Sequence, residues 1–373
     1  MLWSATTRGL IPAVALSAVF LCSASCAPGD PGGEGSIERF DALPVLTFDL
    51  EEFPHTFSMV TGAAAARGGP ILADRREHLV ARLNFESGAV DTVGREGSGG
   101  PGEYTAPGGL FLLAGDTLVV REDRRWIVFD PDGVHVDTWV PEWIGRVGTG
   151  TVAGSPHGAD VFVSGVLTGS ITADTDFHEL ARWTPSTGLL ETVDSVARAP
   201  RQYIALPGTG GTSRFAAAHP FGARDRWAPA GDGGLVIARG ASSAVEFLDR
   251  TGRRVRTFPL PEGVPSIPLS AEDRAAHDHD PRFEWDWPEY KPFFGDGGIV
   301  VDLHSGVAWI PVSEARGSAT RYYLLVDPEE GPIARARFPA GFTLRAMGHG
   351  FGYGVRADEA TGLQRIFRFG SEP

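Results

Sequence analysis

Between Gly94 and Val140 the apolar residues fall in short runs separated by turn residues. Leu118, Val119 and Val120 follow the turn pair Gly115-Asp116, and Trp126-Ile127-Val128-Phe129 follows the charged tetrad Glu122-Asp123-Arg124-Arg125. Two such runs across a polar turn predict a β-hairpin. The second run ends in Asp130-Pro131-Asp132-Gly133, where proline presets φ for a turn and glycine supplies a positive φ. Val134, Val136 and Thr138 then alternate with His135, Asp137 and Trp139, the period of two expected of a further strand. With Gly109 to Leu113 upstream, the unit is a four-stranded antiparallel sheet. A sheet this small cannot bury both of its faces alone and needs neighbours of the same kind.

The pattern recurs. The Phe129-to-Gly133 turn has counterparts in Leu248-Asp249-Arg250-Thr251-Gly252, Val326-Asp327-Pro328-Glu329-Glu330-Gly331, Trp183-Thr184-Pro185-Ser186-Thr187-Gly188 and Leu83-Asn84-Phe85-Glu86-Ser87-Gly88. Upstream of each stands a turn residue followed by an apolar run, starting at Gly69, Gly115, Ala159, Gly234 and Gly306, with a sixth copy at Gly350. The last unit lacks a final strand, and the orphan run Val45 to Leu50 near the start is placed to supply it. The pattern therefore predicts an all-β chain: a six-bladed β-propeller of four-stranded antiparallel blades, with an N-terminal strand closing the last blade. Ring closure leaves only short, protected edges. Uneven spacing of the turn glycines requires insertions, the largest being the partly helical stretch Pro261 to Pro292.

Composition agrees with many short strands: the 49 Gly and 28 Pro in 373 residues are dispersed between apolar runs, not gathered in one tract. The formal net charge of -14 repels phosphate backbones and argues against nucleic acid as a partner. Lys291 is the single lysine among 33 basic residues, and the arginine preference is given no functional meaning. Both cysteines, Cys22 and Cys26, lie in the first 26 residues, so the folded body has no thiol for a disulfide or a cysteine metal site.

Residues 1 to 26 carry Arg8 and then an apolar run from Gly9 to Cys22, too short for a comfortable span and suited to a secretory signal. Ser23-Ala24-Ser25-Cys26 resembles a bacterial lipobox, which implies lipidation at Cys26. Residues 27 to 40 then form a flexible Pro/Gly/acidic tether, and the propeller occupies 41 to 373. The expected setting is the cell envelope, facing the periplasm or the cell surface, with membrane attachment through a lipid anchor only.

The stretch Val93-Gly94-Arg95-Glu96-Gly97 through Gly100-Pro101-Gly102-Glu103-Tyr104 resembles the glycine-rich inter-blade loop of six-bladed propellers of the NHL and TolB-like kind, including exported bacterial members. This resemblance specifies fold and leaves chemistry open. The loop lacks the Gly-Lys-Ser/Thr ending of a phosphate-binding loop, so a connector between blades is the preferred reading.

Candidate chemistry lies in what the repeat does not explain. In the large insertion, Ser270 as N-cap and Asp273 at the third helical position predict a helix start. His277-Asp278-His279-Asp280 follows, then Phe283, Trp285, Trp287 and Tyr290. Alternating His and Asp suits a divalent ion, but two histidines without a third fixed ligand favour a solvated loop. The aromatics form either a stacking platform at the mouth of the ring or a lid packed over two blades, the lid being preferred. Glu103, Asp232, Asp296 and Asp302, with His219, His304 and His349, are candidates to converge on the channel. As the resemblance implies, metal-dependent lactonases of six-bladed fold hold calcium at such positions, but they use asparagine among the ligands and Asn84 is the only one here.

The sequence-based expectation is thus a monomeric, lipid-anchored binding module for a small ligand or an envelope protein. It has no assigned catalytic residue and no required cofactor, and its candidate ligand residues are His277, His279, Trp285, Trp287, Tyr290, Asp302 and His304. The alternative is a hydrolase or lyase using a divalent cation such as calcium in the channel.

Overall fold

The computed structural model describes residues 39–144, 151–167, 176–205, 214–277 and 283–370. Among the described residues six four-stranded antiparallel blades follow one another along the chain, the sheet of blade 5 carrying a fifth strand on its outer edge. Blade 1 is Val60–Ala66, Gly69–Asp74, Leu79–Asn84 and Ala89–Thr92. Blade 2 is Gly109–Leu113, Thr117–Arg121, Trp126–Phe129 and His135–Trp139. Blade 3 is Val152–Gly154, Val161–Gly165, Phe177–Thr184 and Leu189–Ala197. Blade 4 is Arg226–Pro229, Leu235–Arg239, Ala244–Leu248 and Arg254–Pro259. Blade 5 is Val300–Val301, Ala308–Pro311, Thr320–Asp327 and Gly331–Pro339. Blade 6 is Thr343–Gly348, Phe351–Ala357 and Gln364–Gly370, completed on its outer edge by Glu51–Phe57. The first strand of each blade touches the first strand of the next, and that of blade 6 touches that of blade 1, so the ring is closed.

Each blade is apolar on both faces because both are covered. In blade 2, Leu118, Val120, Ile127 and Phe129 pack with Ile71, Ala73 and Val80 of blade 1. The alternate residues Val119, Trp126 and Val128 pack with Val161, Val163 and Trp183 of blade 3. This explains why the middle strands read as continuous apolar runs. The outer strand is different: Val134 and Val136 are 59% and 55% exposed, so its alternation does not mark a buried face.

The recurrent turns all join the third and fourth strands of a blade. Their short polar side chains fold back on the chain: Asp130 Oδ1 accepts the amides of Asp132 and Val134, and Asp249 Oδ1 those of Thr251 and Arg253. The glycine closing each turn has a positive φ, 82° at Gly133 and 83° at Gly252, which other residues rarely adopt.

An N-terminal strand closes blade 6, but it is not Val45 to Leu50. Val45–Thr47 runs parallel to the outer strand of blade 5, and Phe48 stacks on Phe338 at 5.7 Å. The closing strand is the next segment, Glu51–Phe57, with a register shift between Glu52 and Thr56 that accommodates Pro54, which has no amide to donate. Phe53 and Phe57 are 1% and 5% exposed. Arg368 pairs with Glu51 at 2.6 Å and Arg365 with Glu52 at 2.7 Å.

Strand alternation divides the connections between two ends of the ring. Links from one blade to the next, and turns between second and third strands, share one end, called here the connector face. Turns between first and second strands, and between third and fourth, share the other. Among the described residues no helix is long and apolar enough to cross a membrane.

Candidate functional site

The insertion between blades 4 and 5 sits on the connector face and is built as its sequence predicts at its start. Ala271–Ala275 is a short helix, capped by Ser270 and Asp273 in a reciprocal capping box. Lys291 pins it down: its ammonium reaches Asp273 Oδ1 at 3.0 Å and the Glu314 carbonyl at 3.1 Å, and lies 5.6 Å from the centre of the Phe221 ring. Burial raises the Asp273 pKa, but Lys291 and the Ser270 amide and hydroxyl more than offset it and hold the carboxyl below its usual range.

The aromatics of the insertion pack against the connector between blades 3 and 4. Phe283 is buried and stacks on Trp285 at 5.3 Å. The His219 ring lies 5.1 Å from Trp285 and 5.4 Å from Trp287, and Phe221 lies 5.2 Å from His277. Burial pushes the His219 pKa down, against the Asp286 carbonyl that its ring nitrogen meets at 3.2 Å. Trp285 and Trp287 are half-buried, His277 is exposed, and Tyr290 is 43% exposed. Phe283 therefore belongs to a packed lid, and the two tryptophans form its rim.

Beside this lid is a hollow of about 420 Å3. It is walled by Phe221, Arg224 and Arg226 at the entry to blade 4, by Asp273, Lys291 and Pro292 of the insertion with Phe294 to Asp296 after it, and by Val312 to Ser318 with Arg321 from blade 5. Five cations face three carboxyls: Arg224, Arg226, Lys291, Arg316 and Arg321 against Asp273, Asp296 and Glu314. Asp273 is already tied to Lys291. Arg226 is only 9% exposed; its Nε donates to the Gly297 carbonyl at 2.9 Å, and its nearest carboxylate oxygen, on Asp296, is 3.7 Å away. Burial, then repulsion from Arg224 and Arg321 against the pull of Asp296, pushes the Arg226 pKa down to about 10. Asp296 is shared with Arg224 at 2.9 Å. Arg321 donates to the Asp296 and Thr343 oxygens through its two terminal nitrogens, while its buried Nε has no partner. Burial raises the Glu314 pKa despite Arg321 and Lys291, and its Oε2 has no hydrogen-bond partner. A second hollow, of about 480 Å3, adjoins the first and shares Arg224 and Arg226.

The sequence-derived candidates separate. His277, Trp285, Trp287 and Tyr290 lie on the connector face; Asp302 and His304 lie at the other end, in the turn between the first two strands of blade 5. Asp302 serves that turn, accepting from the His304 amide at 3.0 Å and the Ser305 hydroxyl at 2.9 Å. His304 and Asp232 line a hollow of about 500 Å3 on that opposite face. His279 and Cys26 lie outside the described residues.

The carboxylates proposed to meet in the channel are not brought to one point. Glu103 closes its own glycine loop, accepting the Gly100 amide at 2.8 Å and the Gly99 amide at 3.3 Å and pairing with Arg95 at 2.9 Å. Those amides hold its pKa below the usual carboxylate range. The loop thus does what a phosphate-binding loop does, but for its own side chain. Asp232 accepts the Gly234 amide of its own turn at 2.9 Å, and Asp296 is held by arginines. Among the described residues no three His, Cys, Asp or Glu side chains form a group able to hold a metal ion. Glu103, Asp232, Asp296 and Asp302 thus do not form one ligand set among the described residues.

The residues missed from sequence are the arginines of the hollow. Arg224 and Arg226 lie some ninety-five positions from Arg321 in the chain, and no local spacing announces that the ring brings them together.

No protein-family profile matches this chain. No curated protein matches it in sequence. Among solved structures, it is similar to a protein of Bacteroides fragilis designated as exported, at 11% identity over 90% of this chain and 98% of that one, with a TM-score of 0.50. It is also similar to a member of the DUF4221 family from Bacteroides vulgatus, at 11% identity, 86% and 96% coverage and a TM-score of 0.50. A gluconolactonase from Xanthomonas campestris aligns at 12% identity over 86% and 89%, with a TM-score of 0.48. At these identities the likeness is one of fold alone: a six-bladed β-propeller.

Proposed function

We propose that this chain is an extracytoplasmic binding module that receives a small ligand on the connector face of its ring, without catalysis, and is held at the membrane by a lipid on Cys26. The observation that carries the reading is the hollow of about 420 Å3 beside the lid of the insertion, a size suited to a small molecule. Its walls come from three separate connections, the usual place for binding residues on a rigid scaffold. The apolar leader, the Cys26 motif and the tether after it support export and anchoring, and the glycine loop at 94 to 104 supports kinship with NHL-like exported propellers.

Two measurements test this. A ligand that raises the melting temperature of the full chain should lose that effect when Ala315→Trp, at an exposed position of the wall, obstructs the hollow; an undiminished shift would place the ligand elsewhere. Cys26→Ser should move the chain from the membrane fraction to the soluble fraction, and continued membrane retention would refute the anchor.

A further inference from the structure

A buried guanidinium can be matched in full, and Arg239 shows how. In blade 4, Arg239 meets Asp194, Asp225 at 2.9 Å and Glu246 at 2.8 Å, and also donates to the Ser195 carbonyl. Burial alone would lower its pKa, but these partners raise it. That is a closed network with nothing left to bind.

The hollow on the connector face is the opposite case. Arg226 is more deeply buried than a surface cation, yet has one carbonyl acceptor and a share in a carboxylate 3.7 Å away that is itself 89% exposed. Taking a guanidinium out of water without a matched anion is costly. Arg321, beside it, keeps a buried Nε–H with no acceptor. The charge left uncompensated here is positive, and the group that offsets it carries negative acceptor oxygens. The chain as a whole, at -14, repels anions, so the attraction is confined to this point and favours a small solute over an extended polyanion.

We propose that this hollow binds the oxyanion group, carboxylate or phosphate, of a small molecule between Arg224, Arg226 and Arg321. This rests on the connector-face binding reading above and gives it a ligand chemistry. Glu314 stands on the same wall as Arg321, and burial raises its pKa, which lessens the repulsion it offers an anion. Phe221, on the adjacent wall and in contact with the tryptophan rim, supplies an apolar surface for the body of the ligand.

The test is calorimetric titration of the full chain with inorganic phosphate, sulfate and citrate, each against chloride at equal ionic strength. At least one of the three should bind with a Kd of about 1 mM or tighter, raising the melting temperature by roughly 2 °C at tenfold excess over Kd. Preference for citrate over phosphate assigns a carboxylate ligand, and the reverse order a phosphate. Arg224→Ala and Arg321→Gln should each weaken binding about tenfold or more, while Arg250→Ala, in a turn of the opposite face, should leave it unchanged. Arg226 is too buried for its variant to be a safe test, and the partly exposed Arg224 keeps the inference falsifiable. Absence of binding above the chloride control, or native affinity in both hollow variants, overturns it. A neutral compound that stabilises the chain and is blocked by Ala315→Trp, with no anion bound, overturns the anion inference alone. If no compound of either kind acts through the hollow, the binding reading falls as well.

Discussion

Lys291→Met removes a side chain that ties the insertion to both its own helix and blade 5. The Lys291 and Asp273 side chains are 10% and 6% exposed, so the pair is buried. Without the ammonium, the Asp273 carboxylate keeps only the Ser270 amide and hydroxyl, and the Glu314 carbonyl loses its 3.1 Å donor. Removing one partner of a buried pair costs about 3 to 5 kcal/mol, and the two Ser270 donors place this case at the lower end, about 3 kcal/mol. Because the contact holds an insertion and not a blade, the loss should appear as local opening. The assay is native-state hydrogen exchange at the Arg274 and Ala276 amides, which bond within the helix. Three kcal/mol corresponds to roughly 100-fold faster exchange through local opening. The pH dependence has a definite sign. The folded Asp273 pKa lies below its unfolded value, so its contribution is complete above the ordinary carboxylate range and is lost as pH falls through the folded pKa. Acid should therefore loosen the insertion of the native chain, and Lys291→Met should lack most of that step. Adding Asp273→Asn to Lys291→Met should restore much of the protection. Exchange within threefold of the native chain would refute the reasoning.

Three further outcomes follow from the same structure. Deleting the chain through Phe57 should leave the Gln364–Gly370 strand as an open edge and cause aggregation, whereas deleting through Leu50 should leave blade 6 complete; equal solubility and melting of the two truncations would contradict the closure described. Gly94→Ala, at φ 69° with a Cβ that would meet the Gly102 carbonyl at 2.7 Å and the Phe129 ring at 2.8 Å, should cost about 2 to 4 kcal/mol in urea unfolding. Gly115→Ala, at φ 71° in open space, should cost only about 1 kcal/mol, and similar values for both would refute the close packing of the glycine loop. Lys291, as the single lysine, should be acylated by an amine-reactive ester at least about tenfold more slowly than a free lysine peptide, and labelling at the free rate by mass spectrometry would contradict its burial.

The blades were legible because their signals are local. A turn such as Asp249 to Gly252 is specified by its own side chain and one positive φ, and the apolar runs before it are continuous because both faces of the blade are covered. In the sequence Val45–Leu50 reads as the closing strand because it has the stronger apolar pattern, while Glu51–Phe57 contains Pro54 and offers only Phe53 and Phe57 to the core. Its pairing is fixed instead by ion pairs with Arg365 and Arg368, more than three hundred residues away. The insertion was recognisable from its cap and aromatics, since Ser270 and Asp273 act within one turn. Asp302 and His304 resembled ligands in sequence because a short acidic residue before a turn reads alike whether it binds a solute or its own backbone. The arginine hollow is not legible in the sequence: Arg224, Arg226 and Arg321 acquire their meaning from burial and from one another, and both come from the packing of blade 4 beside blade 5.

Hydrogen exchange of the full chain with and without saturating citrate or phosphate, whichever binds in the titration, locates the site most directly. The account predicts protection in segments 220–226, 291–296 and 312–321, which wall the hollow of the connector face. Protection confined to the opposite-face turns at 230–234 and 302–306, or none in the ring, would contradict it.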